Sequence, residues 1–163
     1  MITSKLSTIS RLILITFLFP LTIQSQNAEG NQNKPQNDES AVKATVEDFL
    51  ASLGNNDMEK VKTLFLPNAN IASITMANGE PKLFTISADQ YISQRKEKEN
   101  KKFEEPVRRY TINISQGLLA FVRADATVFY DGKASHHTND FFILMKDNGI
   151  WKILSGSYTV EPI

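Results

Sequence analysis

Asp140 is the side chain best placed for acid–base chemistry. It stands at the entrance of an apolar strand reading Asp140-Phe141-Phe142-Ile143-Leu144-Met145, with His136 and His137 just upstream. A carboxylate among aromatic neighbours loses hydration, and desolvation raises its pKa toward the range where it exchanges protons at neutral pH. Because side chains alternate along a strand, His136, Thr138, Asp140, Phe142 and Leu144 share one face, and His137, Asn139, Phe141, Ile143 and Met145 the other. Asp140 is thus the candidate base, with His136 or Tyr110 donating to a developing oxyanion. A purely structural alternative satisfies the carboxylate with Ser157 or a helix N-terminus. Across the turn at Asn148-Gly149, the Asp140 set is expected to pair with Trp151, Ile153, Ser155 and Ser157. Tyr91, Tyr110, Phe142, Trp151, Ser155 and Ser157 are the candidate ligand contacts. The chain has no cysteine, and it lacks a phosphate-binding loop, a dinucleotide fingerprint, a nucleophile elbow and zinc spacing, so no metal or cofactor is expected.

The elements that must position these residues follow from pattern. Asn-Gly between apolar runs signals a tight hairpin, because both residues accept positive φ. This closes Asp140–Ile153 into a strand pair. Val42, Val46, Phe49, Leu50 and Leu53 fall on one helical face, capped by Asp38 or Ser40 and stopped at Gly54. A short second helix, 57–65, is capped by Asn56 and ended by Pro67. Strands at 69–76 and 82–86 meet at Asn78-Gly79, and Ser87-Ala88-Asp89-Gln90 is a capping box that starts a third helix. After Ile92 that helix becomes a mixed-charge run, which reads as a solvated end.

Tyr110, Ile112 and Ile114 alternate with polar residues, and Ala120, Val122, Ala124, Ala126 and Val128 form one face of the next strand. A three-residue loop at Ser115-Gln116-Gly117, pairing Ile114 with Leu118, keeps one sheet face apolar. It sends Arg109, Arg123 and Asp125 to the other face, where Arg123 and Asp125 are expected to line a polar site or, in preference, to form a rim or dimer-face ion pair. Asp131-Gly132 favours a two-residue turn, yet aligning Asp140 with Ala124 requires a longer loop or a bulge. The residues alone leave this open.

Lys and Arg total 18, as do Asp and Glu, and without the first 25 residues the net charge is −2. This balance gives no sign of a nucleic-acid partner. Residues 1–25 read as a secretory signal, with Lys5 and Arg11 ahead of apolar Leu12–Ile23 and cleavage near Ser25. The apolar run is shorter than the about 20 residues that span a bilayer, and no membrane association is expected after cleavage. Residues 26–38 are a polar, Asn/Gln-rich leader expected to be disordered. One α+β domain, 39–163, follows, in a protein expected to be periplasmic or secreted.

This order of elements resembles the nuclear transport factor 2-like superfamily, in particular its SnoaL-like and lumazine-binding-like branches. The residues that carry the resemblance are Phe49-Leu50, Asn56-Asp57-Met58-Glu59-Lys60-Val61, Leu119-Ala120-Phe121-Val122, Asp140 to Lys146 and Gly149-Ile150-Trp151-Lys152-Ile153. The resemblance implies a cone, a curved antiparallel sheet wrapped around N-terminal helices with a pocket at its open end. It also implies an inward Asp140, which is the orientation expected here, and a homodimer through the outer sheet face. Enzymes and carriers share this fold, so it does not choose the chemistry. Three functions are therefore expected in turn: an exported binder of a small apolar or aromatic molecule, a cofactor-free proton-transfer enzyme with Asp140 as base, and a dimeric interaction module.

Overall fold

The computed structural model describes residues 34–96 and 102–163. The expected signal segment 1–25, most of the expected leader and part of the charged run after Ile92 lie outside the described residues. The order is α1 (Lys34–Gly54), α2 (Met58–Leu64), β1 (Phe65–Ala77), β2 (Glu80–Ser87), α3 (Ala88–Lys96), β3 (Phe103–Glu104), β4 (Val107–Ser115), β5 (Leu119–Tyr130), β6 (Lys133–Asp147) and β7 (Ile150–Pro162). The seven strands form one curved, unclosed sheet in the order β2-β1-β7-β6-β5-β3, with β4 also on β5. All pairs are antiparallel except β1 with β7. The expected α+β class with N-terminal helices against the concave face is what the chain forms.

The core joins α1 to the concave face. Val42 and Val46 are fully buried, as are Ala120, Ala124, Leu144 and Ile153. The alanines of β5 let the helix approach, and Phe49 fills the space beside them, edge-on to Phe65 at 5.4 Å and to Phe142 at 5.7 Å. Each large side chain buried this way contributes about 1.5–3 kcal/mol. Gly156 packs closely against the core, since a Cβ there would stand 3.0 Å from Ile71 Cδ1 and 3.4 Å from Phe142 Cε1.

Local signals hold with adjustments. Asn78-Gly79, Asp131-Gly132 and Asn148-Gly149 all adopt positive φ in two-residue turns. Ser87 Oγ accepts from Gln90 N and Gln90 Oε1 accepts from Ser87 N, both at 3.1 Å, completing the capping box. The cap of α2 is Asp57, which accepts from Lys60 N at 3.0 Å, rather than Asn56, which sits at φ 54°. Helix α1 begins at Lys34, inside the stretch expected to be disordered. Asp38 is therefore within the helix, where it accepts from Trp151 Nε1 at 3.3 Å and pairs with Lys146.

Register depends on bulges. Ile114 pairs with Ala120 rather than Leu118, so the three-residue loop is Gln116-Gly117-Leu118, but the division into faces is unchanged. Between β5 and β6 the two-residue Asp131-Gly132 turn coexists with one extra residue, Ser135, after which Ala124 opposes Asp140. Between β6 and β7 Leu154 is the extra residue. Extra residues of this kind bend a strand and reverse the facing of everything beyond them.

Candidate functional site

Asp140 faces the concave side and is 5% exposed. The Ser135 bulge gives it that facing, and β4, β5 and β7 wall it in. Its Oδ1 accepts from Thr138 Oγ1 at 2.8 Å. Its Oδ2 receives no hydrogen bond from any N–H or hydroxyl among the described residues. The group beside it is a second carboxyl, Glu105, close enough for the two to act on each other electrostatically. Neighbouring buried carboxyls resist ionising together, which favours retention of a proton. Burial and the charge of Asp140 push Glu105 up to about 8, and burial pushes Asp140 up despite the opposing effects of Thr138 and Glu105. The two carboxyls thus titrate as an acid pair that holds a proton above the usual carboxylate range, with Glu105 the more strongly raised.

Glu105 reaches this place because Pro106 holds it extended as the chain passes from β3 to β4 along the edge of β5. It was not visible in the sequence, where Glu104-Glu105-Pro106 follows a charged run.

Three cavities lie nearby, one bordered by Asp140, one by Glu105 and one by neither. A small one of about 30 Å³, room for a single water, is bordered by Phe49, Ile71, Tyr91, Asp140, Phe142 and Tyr158 among others. Tyr91 and Tyr158 also border a mouth cavity of about 350 Å³, together with Phe84, Gln94, Arg95 and Tyr130. On the other side, a cleft of about 490 Å³ between α1 and β3–β4 includes Leu50, Gly54, Phe103, Glu105 and Tyr110. Tyr91 is a hydroxyl shared by the first two cavities, and Arg95 Nε donates to it at 3.2 Å. Burial raises the Tyr91 pKa, with the Arg95 charge acting in opposition. Tyr110 borders the cleft, and burial and then the charge of Glu47 push it up to about 12, so it stays a neutral donor.

The structure brings Asp140, Tyr91 and Phe142 together and places Tyr110 next to Glu105 across the cleft. The other expected site residues lie elsewhere. His136 is four residues along β6, about 13 Å from Asp140 at strand rise, and its Nδ1 contacts Ser135 Oγ at 3.0 Å. It is half-buried, and burial followed by the nearby His137 lowers its pKa. His137 faces outward to Thr127 Oγ1 at 2.9 Å. Trp151 shares the concave face but lies opposite Lys146, about 20 Å along the strand, as a core residue with Lys146 4.9 Å above its ring. The Leu154 bulge turns Ser155 and Ser157 outward, opposite Ile143 and Phe141, and brings Tyr158 inward opposite Asp140. Ser157 still borders the small cavity, but neither serine bonds Asp140, and Tyr158 takes the expected inward place.

On the convex face Arg109 Nη2 donates to Asp125 Oδ2 at 2.5 Å and Arg123 Nε to Asp125 Oδ1 at 2.7 Å. These bonds, with Arg123 acting most strongly, hold Asp125 below the usual carboxylate range. Among the described residues no group of three or more His, Cys, Asp or Glu side chains could hold a metal ion, and no helix is long and apolar enough to cross a membrane.

Comparison with known proteins agrees with this architecture. No curated protein sequence matches the chain. Residues 37–159 match the family described as "Putative lumazine-binding". Among solved structures, a nuclear transport factor 2-like protein of unknown function from Shewanella baltica OS155 superposes with a TM-score of 0.60 at 19% identity, covering 79% of this chain and 98% of the other. A Novosphingobium aromaticivorans DSM 12444 protein described as a "Putative Scytalone Dehydratase" gives a TM-score of 0.63 at 14% identity, covering 78% and 86%. From the same organism, the β subunit described as that of a "putative aromatic-ring-hydroxylating dioxygenase" gives 0.64 at 19%, covering 78% and 92%. At these identities the likeness is one of fold. With three quarters of its length matched, the chain belongs to the putative lumazine-binding family, and its curved sheet has the fold of nuclear transport factor 2-like proteins.

Proposed function

We propose that this is an exported protein that binds a small, mostly apolar or aromatic molecule in the mouth of the cone, above the Asp140–Glu105 pair. The observation that carries this reading is the buried Asp140 Oδ2, which receives no hydrogen bond among the described residues and lies beside cavities with aromatic walls. Buried polar groups in a concave apolar site are what orient a ligand. The family description names a flat aromatic compound, lumazine, and rings such as Tyr130 and Tyr158 suit that shape. A thermal-shift screen with lumazine, naphthols and aromatic amides tests the reading. At least one compound should raise the Tm of wild type, with an altered shift for Asp140→Asn. A panel that leaves the wild-type Tm unchanged overturns it.

The retained proton favours a second reading, proton transfer without a cofactor. Asp140 would take a proton from a carbon next to a carbonyl while a tyrosine hydroxyl or neutral Glu105 donates to the oxygen. The measurement is deuterium incorporation from solvent into 2-tetralone. Catalysed exchange that falls roughly 100-fold in Asp140→Asn supports it, and exchange at the uncatalysed rate refutes it.

Export carries its own test, in which the protein from the periplasm or medium should begin near Gln26 by intact mass. A full-length cytosolic species would refute it. Exposed Phe121, Phe141 and Met145 on neighbouring strands support a dimer through the outer face. Phe141→Glu should then shift sedimentation to monomer, and a monomeric wild type would exclude the dimer.

A further inference from the structure

Arg95 stands in the last turn of α3, where the helix dipole favours a cation. Only its Nε is engaged, as donor to Tyr91 Oη, and its guanidinium carbon lies 4.9 Å from the Phe103 ring centroid. Among the described residues no carboxylate forms an ion pair with it, although its charge acts on Glu105, whereas Arg109 and Arg123 both pair with Asp125. The two terminal amino groups of its fork carry four N–H donors with no acceptor among those residues. Arg95 is half-buried and borders the mouth cavity. A cation partly removed from water and left unpaired is costly, and a ligand anion would offset that cost.

Besides Arg95, that cavity is lined by the polar Gln94 and by four rings, three of them tyrosines with hydroxyls. Phe84, Tyr91, Tyr130 and Tyr158 enclose about 350 Å³, within the range of small-molecule sites. Faces and edges of rings select a flat apolar body. A guanidinium fork matches a planar carboxylate bidentately. A phosphate dianion would place two negative charges against one cation, with the negatively charged Asp140–Glu105 pair on the same side, so a monoanion fits better.

We infer that Arg95 is the anion anchor of the mouth cavity and that the ligand is a flat aromatic monocarboxylate, its ring among Phe84, Tyr130 and Tyr158. This rests on the proposed use of the cone as a ligand site. Tyr91 acts as a positioning residue, since its hydroxyl accepts from Nε and fixes the direction of the fork.

Titration calorimetry with 1-naphthoate and its neutral isostere 1-naphthamide tests the assignment. Wild type should bind the carboxylate roughly tenfold or more tightly than the amide, and about 0.5 M NaCl should reduce that preference. Arg95→Gln should bind the two alike, and Arg95→Lys should keep part of the preference. Equal affinities in wild type, or a preference that survives Arg95→Gln, overturn the inference while leaving the cone as a binding site. If neither compound binds, the aromatic-ligand reading falls and this inference with it. Trp151 fluorescence reports folding of each variant, and should Arg95→Gln not fold, Arg95→Lys with the salt titration decides.

Discussion

Replacing Glu105 by Gln removes the proton that the acid pair holds while keeping the shape of the side chain. In wild type, burial and the neighbouring Asp140 push Glu105 from 4.5 up to about 8. Between those values the folded protein carries a proton that the unfolded chain has released. Folding therefore takes up a proton, and stability falls as pH rises through that window. Taken alone, the shift corresponds to about 5 kcal/mol, at about 1.4 kcal/mol per pH unit. The two carboxyls lose their protons as a unit, and water reaches half-buried Glu105 from the cleft, so the expected fall is on the order of 2–3 kcal/mol.

Urea unfolding followed by Trp151, the sole tryptophan, measures this at a series of pH values from about 5 to about 9. Wild type should lose about 2–3 kcal/mol across the series. Glu105→Gln should be close to wild type at the acid end, flatter between, and more stable at the alkaline end. His136 acts with the opposite sign, because burial lowers its folded pKa from 6.5. The unfolded chain binds more protons near that value, and stability rises with pH there. Since His136 is common to both proteins, the difference between the two profiles reports the coupled Asp140–Glu105 pair. Parallel profiles, or a wild type that gains stability between about pH 7 and about pH 9, would refute the shared proton.

Gly156→Ala should cost about 1–3 kcal/mol by urea unfolding, because its Cβ meets Ile71 at 3.0 Å. Phe49→Ala removes the ring wedged between Phe65 and Phe142, and calorimetric unfolding should show a loss of about 3–5 kcal/mol. Asp38→Asn weakens the tie to Lys146 and Trp151. Those charged side chains are 17% and 13% exposed for Lys146 and Asp38, so the cost in urea should be about 2 kcal/mol, below that of a fully buried pair, with a change in Trp151 emission.

Much of this fold is legible because its signals are local. A positive-φ turn needs only Asn-Gly or Asp-Gly, and a capping box needs only Ser87 and Gln90. The division of β4 and β5 into faces follows from alternation, which is why Ile114 and Ala120 share the core while Arg109, Arg123 and Asp125 meet outside. Glu105 and Arg95 were hidden for the converse reason. Each lies beside a run of charges whose local reading is solvation. Glu105 is covered only because α1 and β6 come from elsewhere in the chain, and Arg95 because β3, β5 and β7 do. The four-residue spacing of Tyr91 and Arg95 was the one available hint, since it puts them on one helical face.

Two extra residues determine which groups meet at the floor of the cone. Without Ser135, the Asp131-Gly132 turn would send Asp140 to the convex face and His137 and Asn139 inward. Without Leu154, Ser157 would oppose Asp140 and offer the hydroxyl that the sequence suggests. With Leu154 in place, Asp140 faces Tyr158 across β7, and its second oxygen is left without an N–H or hydroxyl partner. The shortage of donors is what lets a second carboxyl, held by Pro106 at the edge of β5, occupy the remaining side as a neutral acid. A bulge thus does more than curve the sheet. It exchanges a serine, which would have satisfied Asp140 as an ordinary buried carboxylate, for a tyrosine ring, and the Asp140–Glu105 acid pair follows from that exchange.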